Sequence, residues 1–222
     1  MVQETENKDT NDQDAPLIEK SNVSIRATKA RWFALILACF LNFGSYYCFD
    51  NPQALQKQIK DNFDIDNTSF GLLYSVYSFP NIILPLIGGL LIDRIGVRVA
   101  IVIFSFLLIV GQGVFTLGAY SNSFPLMITG RVIFGLGGES LTVSQSSVTA
   151  KWFIGKELAF SMGILLCVSR SGSSLNSALS PRFFHWFDNE LWVPLFVGFC
   201  FCVASFFCGL WLCAIDRKAD QQ

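Results

Sequence analysis

Charged side chains are scarce in this chain. They make up 15% of its 222 residues, against about 25% in ordinary soluble domains. So little polar surface cannot cover a globule in water, which excludes a soluble fold. Histidine is nearly absent: the single residue, His185, stands beside Trp186, a placement that suits a membrane interface. The seven cysteines offer no metal pattern, because Cys200 and Cys202 lack zinc-site spacing and any histidine partner. All seven lie in or beside apolar runs and read as packing thiols. A net charge of −1 leaves no basic footprint for nucleic acid. No phosphate loop, zinc pattern or nucleophile elbow occurs, so neither an enzyme nor a cofactor is implied. A signal peptide is not expected either, since no early apolar core follows a basic start.

Apolar residues fill the space that charge leaves. They reach 52%, with 22 phenylalanines suited to lipid-facing helices. A helix needs about 20 mostly apolar residues to cross a bilayer. Six runs meet that length, at 32–50, 69–92, 97–119, 124–149, 157–179 and 191–214. The sequence therefore predicts an all-α membrane protein, a six-transmembrane-helix bundle over 32–215 embedded in a lipid bilayer. A polar tail, 1–31, precedes it, with a composition that predicts disorder, and a short end, 216–222, follows. Lys20, Arg26, Lys29 and Arg31 precede span 1, Arg94 and Arg98 join spans 2 and 3, and Lys151 and Lys156 join spans 4 and 5. Arg217 and Lys218 follow span 6, while the other loops hold only Lys57, Lys60 and Arg182. By the positive-inside rule both termini are cytoplasmic. The acidic loop with Asp61, Asp64 and Asp66 then faces the lumen or exterior, and span 5 is expected to end at Pro181.

The stretch Gly89-Leu-Leu-Ile-Asp93-Arg94-Ile-Gly96-Val-Arg98 is the most distinctive in the chain. Two glycines, a carboxylate and two guanidiniums make no sense inside hydrocarbon and good sense as a tight cytoplasmic turn. Within the spans, an ionisable side chain costs about 2.5–3.5 kcal/mol on insertion scales, so each one asks for a reason. Arg131, Glu139 and Arg170 stand out. Glu139 shares a helical face with Thr142 and Ser146. At a rise of about 1.5 Å per residue, Glu139 and Arg170 lie roughly 15 and 20 Å from the cytoplasmic ends of their spans. Long side chains at such depths can meet as a packing ion pair. Alternatively they frame one cavity, Glu139 facing an ammonium and Arg170 a carboxylate, as a zwitterionic solute requires. Tyr46 and Tyr47 suit either an interfacial belt or a solute, and Asp50 caps span 1 near its mouth, where it could also titrate. Pro80 and Pro85 predict kinks in span 2.

The order Gly-x-x-x-Asp-Arg-x-Gly-x-Arg closely resembles the loop between helices 2 and 3 of the major facilitator superfamily of transporters. Arg131-x-x-x-Gly135-x-Gly137 resembles a second signature of that superfamily, whose arginine packs against helix 1. The segments 47–56, 75–81 and 135–141 resemble its lysosomal dipeptide carrier branch. That resemblance implies one six-helix half of a carrier, the N-terminal one, in a family whose members have two. The chain is then a fragment, a short isoform, or a unit that works as a homodimer. It further implies a uniporter that moves dipeptides from the lysosome lumen to the cytosol, with Glu139 and Arg170 reading the two peptide ends. Proton coupling through Asp50 or Glu139 is equally compatible. A glycosylated lysosomal membrane protein is implied as accessory partner. Asp14-Ala-Pro-Leu17-Ile18 is similar to the relatives' acidic dileucine sorting signal, with Gln13 where an acid is usual. In complete carriers the Gly89–Arg98 loop braces the other half, so Asp93, Arg94 and Arg98 are expected here without their partner. The competing reading is a non-transporting six-helix module that pairs with a full-length carrier and regulates it.

Overall fold

The structure, a computed structural model, describes residues 30–187 and 189–221. The tail, with Asp14, Leu17 and Ile18, lies outside the described residues. Among those residues the secondary structure is entirely helical. Five helices are long and apolar enough to cross a membrane: α1 (Ala30–Phe49), α6 (Val97–Tyr120), α7 (Phe124–Trp152), α8 (Lys156–Trp186) and α9 (Trp192–Asp220). The sixth span is the expected 69–92 run, but it is not one rod. It divides into α4 (Asn67–Ser78), a 3-10 turn (Pro80–Ile82) and α5 (Leu84–Ile95), bent by 58°. Pro80 and Pro85 explain the break, since neither can donate the backbone bond that would continue the helix.

Two expectations need correction. The acidic segment before α4 is not a plain loop. It holds α2 (Asn51–Ala54) and α3 (Gln56–Phe63). Leu55 and Ile59, four residues apart, are fully buried against Phe70, Leu73, Phe115 and Leu195, and that shared apolar face seats the segment on the bundle. Span 5 does not end at Pro181 either, because α8 continues through it to Trp186. Proline inside a membrane helix is tolerated where neighbouring groups tie the stretch down. Ser180 does so here, bonding Asn176, Asn51 at 3.2 Å and the Tyr47 hydroxyl at 3.4 Å.

The helices pack through small residues, as expected where lipid supplies no hydrophobic drive for association. α6 and α7 form the tightest pair. A Cβ on Gly111 or Gly130 would come within 2.5 Å of the backbone nitrogens of Phe134 and Phe115 respectively. α1 runs against α8 and α9, and α4 and α5 lie on α7.

The Gly89–Arg98 stretch is mostly helix. Only Gly96 forms the turn between α5 and α6, at φ +86°, a conformation that L side chains rarely adopt. Gly89 faces open space, and the close approach to α7 belongs to Gly88, whose Cβ would lie 2.7 Å from Ser140 Oγ. Arg98 is not without a partner. Its Nε donates to Asp216 Oδ2 at 2.6 Å, and its Nη2 donates to the Asp216 carbonyl at 3.2 Å and to the Asp220 carboxylate. Asp216 also accepts from Trp152 Nε1 at 3.0 Å, so one buried carboxylate joins α6, α7 and α9. Asp93 and Arg94 stay exposed, with no ion pair among the described residues.

Asp66 caps α4. Its Oδ1 accepts from the Ser69 backbone N–H at 2.8 Å, and that bond holds the carboxyl below the ordinary aspartate value. A lowered folded value means the cap's contribution is present above the unfolded value of about 3.9 and is lost as pH falls through the folded one. The gap in Tm between wild type and Asp66→Ala should therefore be constant from pH 7 to 5 and close below pH 4. A gap that widened on acidification would contradict this.

Candidate functional site

α1, α4, α7 and α8 surround a cleft of about 260 Å³. Its walls are Ser45, Tyr46 and Phe49 of α1, Tyr77 of α4, Gly138, Glu139 and Thr142 of α7, and Arg170 of α8. Both candidate charges thus face one space. Both are exposed to it and they form no ion pair with each other, so the packing-pair alternative is not what the geometry shows.

Local sequence explains how each arrives there. Gly172 lets α8 press onto α1, since a Cβ at that position would meet the Phe43 carbonyl oxygen at 2.7 Å. Ser173 Oγ donates to the Tyr46 carbonyl across the same contact at 3.4 Å. One turn back, the Arg170 guanidinium carbon lies 4.9 Å from the centre of the Tyr46 ring, a cation–π contact that orients the cation without neutralising it. On α7, Thr142 shares the face of Glu139 and accepts from Asn42 Nδ2 at 2.9 Å. Asn42 also donates to Gln145 Oε1 at 2.9 Å, and Gln145 Nε2 donates to the Ala38 carbonyl at 2.5 Å. This buried amide chain clamps α1 to α7 at Thr142, one turn from Glu139.

Other expected site residues lie elsewhere. Tyr47 is fully buried, its ring 4.7 Å from Phe201 and its hydroxyl on Ser180, so it cannot reach the cleft. Adjacent helical residues point about 100° apart, and of the tyrosine pair only Tyr46 faces inward. Asp50 lies at the junction of α1 and α2, outside the cleft lining. Arg131 is 2% exposed and donates from Nη2 to the Cys48 carbonyl of α1 at 3.1 Å, with its guanidinium 4.4 Å from the Phe115 ring centre. It braces α7 on α1 and touches no cleft residue's side chain among these contacts. Ser171 and Ser177 bond back to their own helix, which leaves Arg170 as the cleft's polar group from α8.

Sequence reasoning misses Ser45 and Phe49. The stripe Asn42, Ser45, Tyr46, Phe49, at spacings of three and four, carries the signal for an inward helical face. Among the described residues, no group of three His, Cys, Asp or Glu could hold a metal ion.

Two glycines on α7 set the position of Tyr77. A Cβ on Gly135 would lie 2.9 Å from the Tyr77 backbone oxygen, whereas one on Gly138 would press on the end of the Tyr77 side chain, 2.6 Å from its hydroxyl. Backbone cannot yield but a phenol can swing. Gly135→Ala should therefore cost about 1–3 kcal/mol and lower Tm by several degrees. Gly138→Ala should leave Tm nearly unchanged and displace the phenol within the cleft. Thermal unfolding in detergent compares the two, and equal losses would refute the distinction.

Residues 35–222 match the family model of the Major Facilitator Superfamily. The chain is similar to the lysosomal dipeptide transporter MFSD1 of Mus musculus, 44% identical over 200 residues, and to that of Homo sapiens, 42% identical over 200 residues. Each match covers 86% of this chain and 43% of the relative. The chain thus spans about two-fifths of the length of the curated relatives it matches.

Proposed function

This chain belongs to the Major Facilitator Superfamily of membrane transporters, and we propose that it forms one wall of a carrier moving dipeptides out of the lysosome lumen. One observation carries this reading: Glu139 and Arg170 face the same cleft, oppositely charged and not paired with each other. Each charge in a membrane interior is costly when unanswered. A ligand with an ammonium at one end and a carboxylate at the other answers both at once. The names of the relatives favour a dipeptide among such ligands, and a lysosomal membrane as its setting. Arg31, Arg98, Lys151, Arg217 and Lys218 cluster at the helix ends that the positive-inside rule assigns to the cytosol, so both termini are cytoplasmic in this reading.

The cleft is open on one side, and alternating access needs a second wall to rock against the first. A further six-helix unit or a second copy supplies it. A glycosylated lysosomal membrane protein is the proposed accessory partner, and uniport the proposed mode.

The test is uptake by the full chain reconstituted in liposomes, using a radiolabelled dipeptide. Unlabelled dipeptide should compete, and N-acetylated or C-amidated forms should compete at least tenfold more weakly. A folded, monodisperse chain that shows neither uptake above empty liposomes nor binding of the labelled dipeptide would sink this reading. It would leave the chain as a non-transporting module that regulates a full-length carrier.

A further inference from the structure

α6 and α9 carry a second, larger groove. It occupies about 810 Å³ between the first turns of α6 and the last turns of α9. Val99, Val102 and Ile103 form its apolar wall, and Arg98, Arg217 and Lys218 stand at its rim. Neither α6 nor α9 contributes to the cleft, so the groove is separate from the proposed dipeptide site.

We propose that this groove binds an anionic phospholipid, with the phosphate at the basic rim and an acyl chain along the valine and isoleucine wall. Charge complementarity supports that occupant. Asp216 is buried and turned inward to Trp152 and Arg98, and Asp220 also bonds Arg98. Arg98 balances one of those two carboxylates, so with Arg217 and Lys218 the rim keeps a net positive charge. Arg217 and Lys218 are exposed and form no ion pair among the described residues. Gly96 precedes α6 without a side chain to cap it, so the positive end of the helix dipole opens at the same rim. Two cations and that helix end make a phosphate site at the height where headgroups lie.

The wall decides between a lipid and a free anion. Val99 is 50% and Ile103 42% exposed, and both line the same groove as the cations. A soluble phosphate would use the rim and leave that wall untouched. A phospholipid uses both, because the stems of Arg217 and Lys218 can lie along the wall while their charges reach the headgroup.

Native mass spectrometry of the delipidated full chain tests the assignment with dioleoyl phosphatidylserine, dioleoyl phosphatidylcholine and soluble glycerophosphoserine as probes. Phosphatidylserine adducts should exceed phosphatidylcholine adducts at least fivefold. R217Q/K218Q should reduce that ratio below twofold, and Ile103→Trp should reduce phosphatidylserine binding by filling the groove. Glycerophosphoserine at equal concentration should not compete. Should the double variant fail to fold, K218Q alone should lower the ratio at least twofold. No anionic preference in wild type, an unchanged ratio in folded variants, or full competition by glycerophosphoserine would each overturn the proposal.

Discussion

Arg170→Ala is expected to lower dipeptide uptake about 100-fold, and Glu139→Gln to a similar extent, with little change in Tm. Truncating one partner of a desolvated charge pair costs roughly 2–5 kcal/mol, and each 1.4 kcal/mol is about tenfold. Water reaches the open side of this cleft, so the lower half of that range applies. Stability should hold because neither side chain supports the packing: both are exposed and unpaired with each other. A readout beyond activity separates recognition from damage. If Arg170 reads the carboxylate, its removal should abolish the preference for a free dipeptide over its C-terminal amide. If Glu139 reads the ammonium, its loss should instead abolish the preference over the N-acetyl form. Arg170→Lys should recover only part of the activity, because an ammonium lacks the planar fork of guanidinium. Tyr46→Phe keeps the ring under Arg170 and should be mild, whereas Tyr46→Leu removes it. An equal loss of discrimination at both peptide ends in either single variant would refute the two-ended assignment.

Much of this arrangement is legible from the chain because the membrane imposes simple rules. The lengths of the apolar runs locate five of six spans to within a few residues, apart from the longer ends of α8 and α9, and the charges at mid-span flag Glu139 and Arg170. Burial in lipid makes such charges conspicuous, which is why the two that line the cleft can be found without coordinates. Direction is harder to read. Tyr46 and Tyr47 are neighbours of the same type, and only the rotation of α1, set by Gly172 and Ser173 on α8, sends one inward. Asn42 and Gln145 escape notice because buried amides in an apolar helix have no distinctive spacing. Pro181 misleads for a related reason: its consequence depends on Asn51 of α2 and Tyr47 of α1 converging on Ser180 of α8. Arg98 reads locally as part of an interface with something outside the bundle, yet its partners lie 118 and 122 residues later in the same chain. No local pattern announces a contact of that sequence separation.

Asp216→Ala should destabilise the bundle more than Gly135→Ala or Asp66→Ala, lowering stability by about 2–4 kcal/mol. Removing one member of a buried pair costs roughly 3–5 kcal/mol, and the loss is smaller here because Arg98 keeps the Asp220 carboxylate and its side chain is 32% exposed. The same change removes the acceptor that the Trp152 indole N–H uses, on a side chain 4% exposed. For a protein of this size, 1 kcal/mol corresponds to about 2–4 °C in Tm, so a fall of about 5–15 °C is expected. Asp216→Asn keeps an acceptor for Trp152 and should lose less. Arg98→Ala combined with Asp216→Ala should cost less than the sum of the two single changes, since neither charge is then left alone. Additive losses would show that the contact carries no coupling. The outcome also bears on the Gly89–Arg98 stretch. With Arg98 committed to α9, Asp93 and Arg94 are the charged residues of the stretch left exposed to meet a second wall. Asp93→Asn should therefore leave Tm unchanged while slowing uptake, the reverse of the Asp216 pattern. A loss of stability in Asp93→Asn would place that residue inside the bundle's own framework instead.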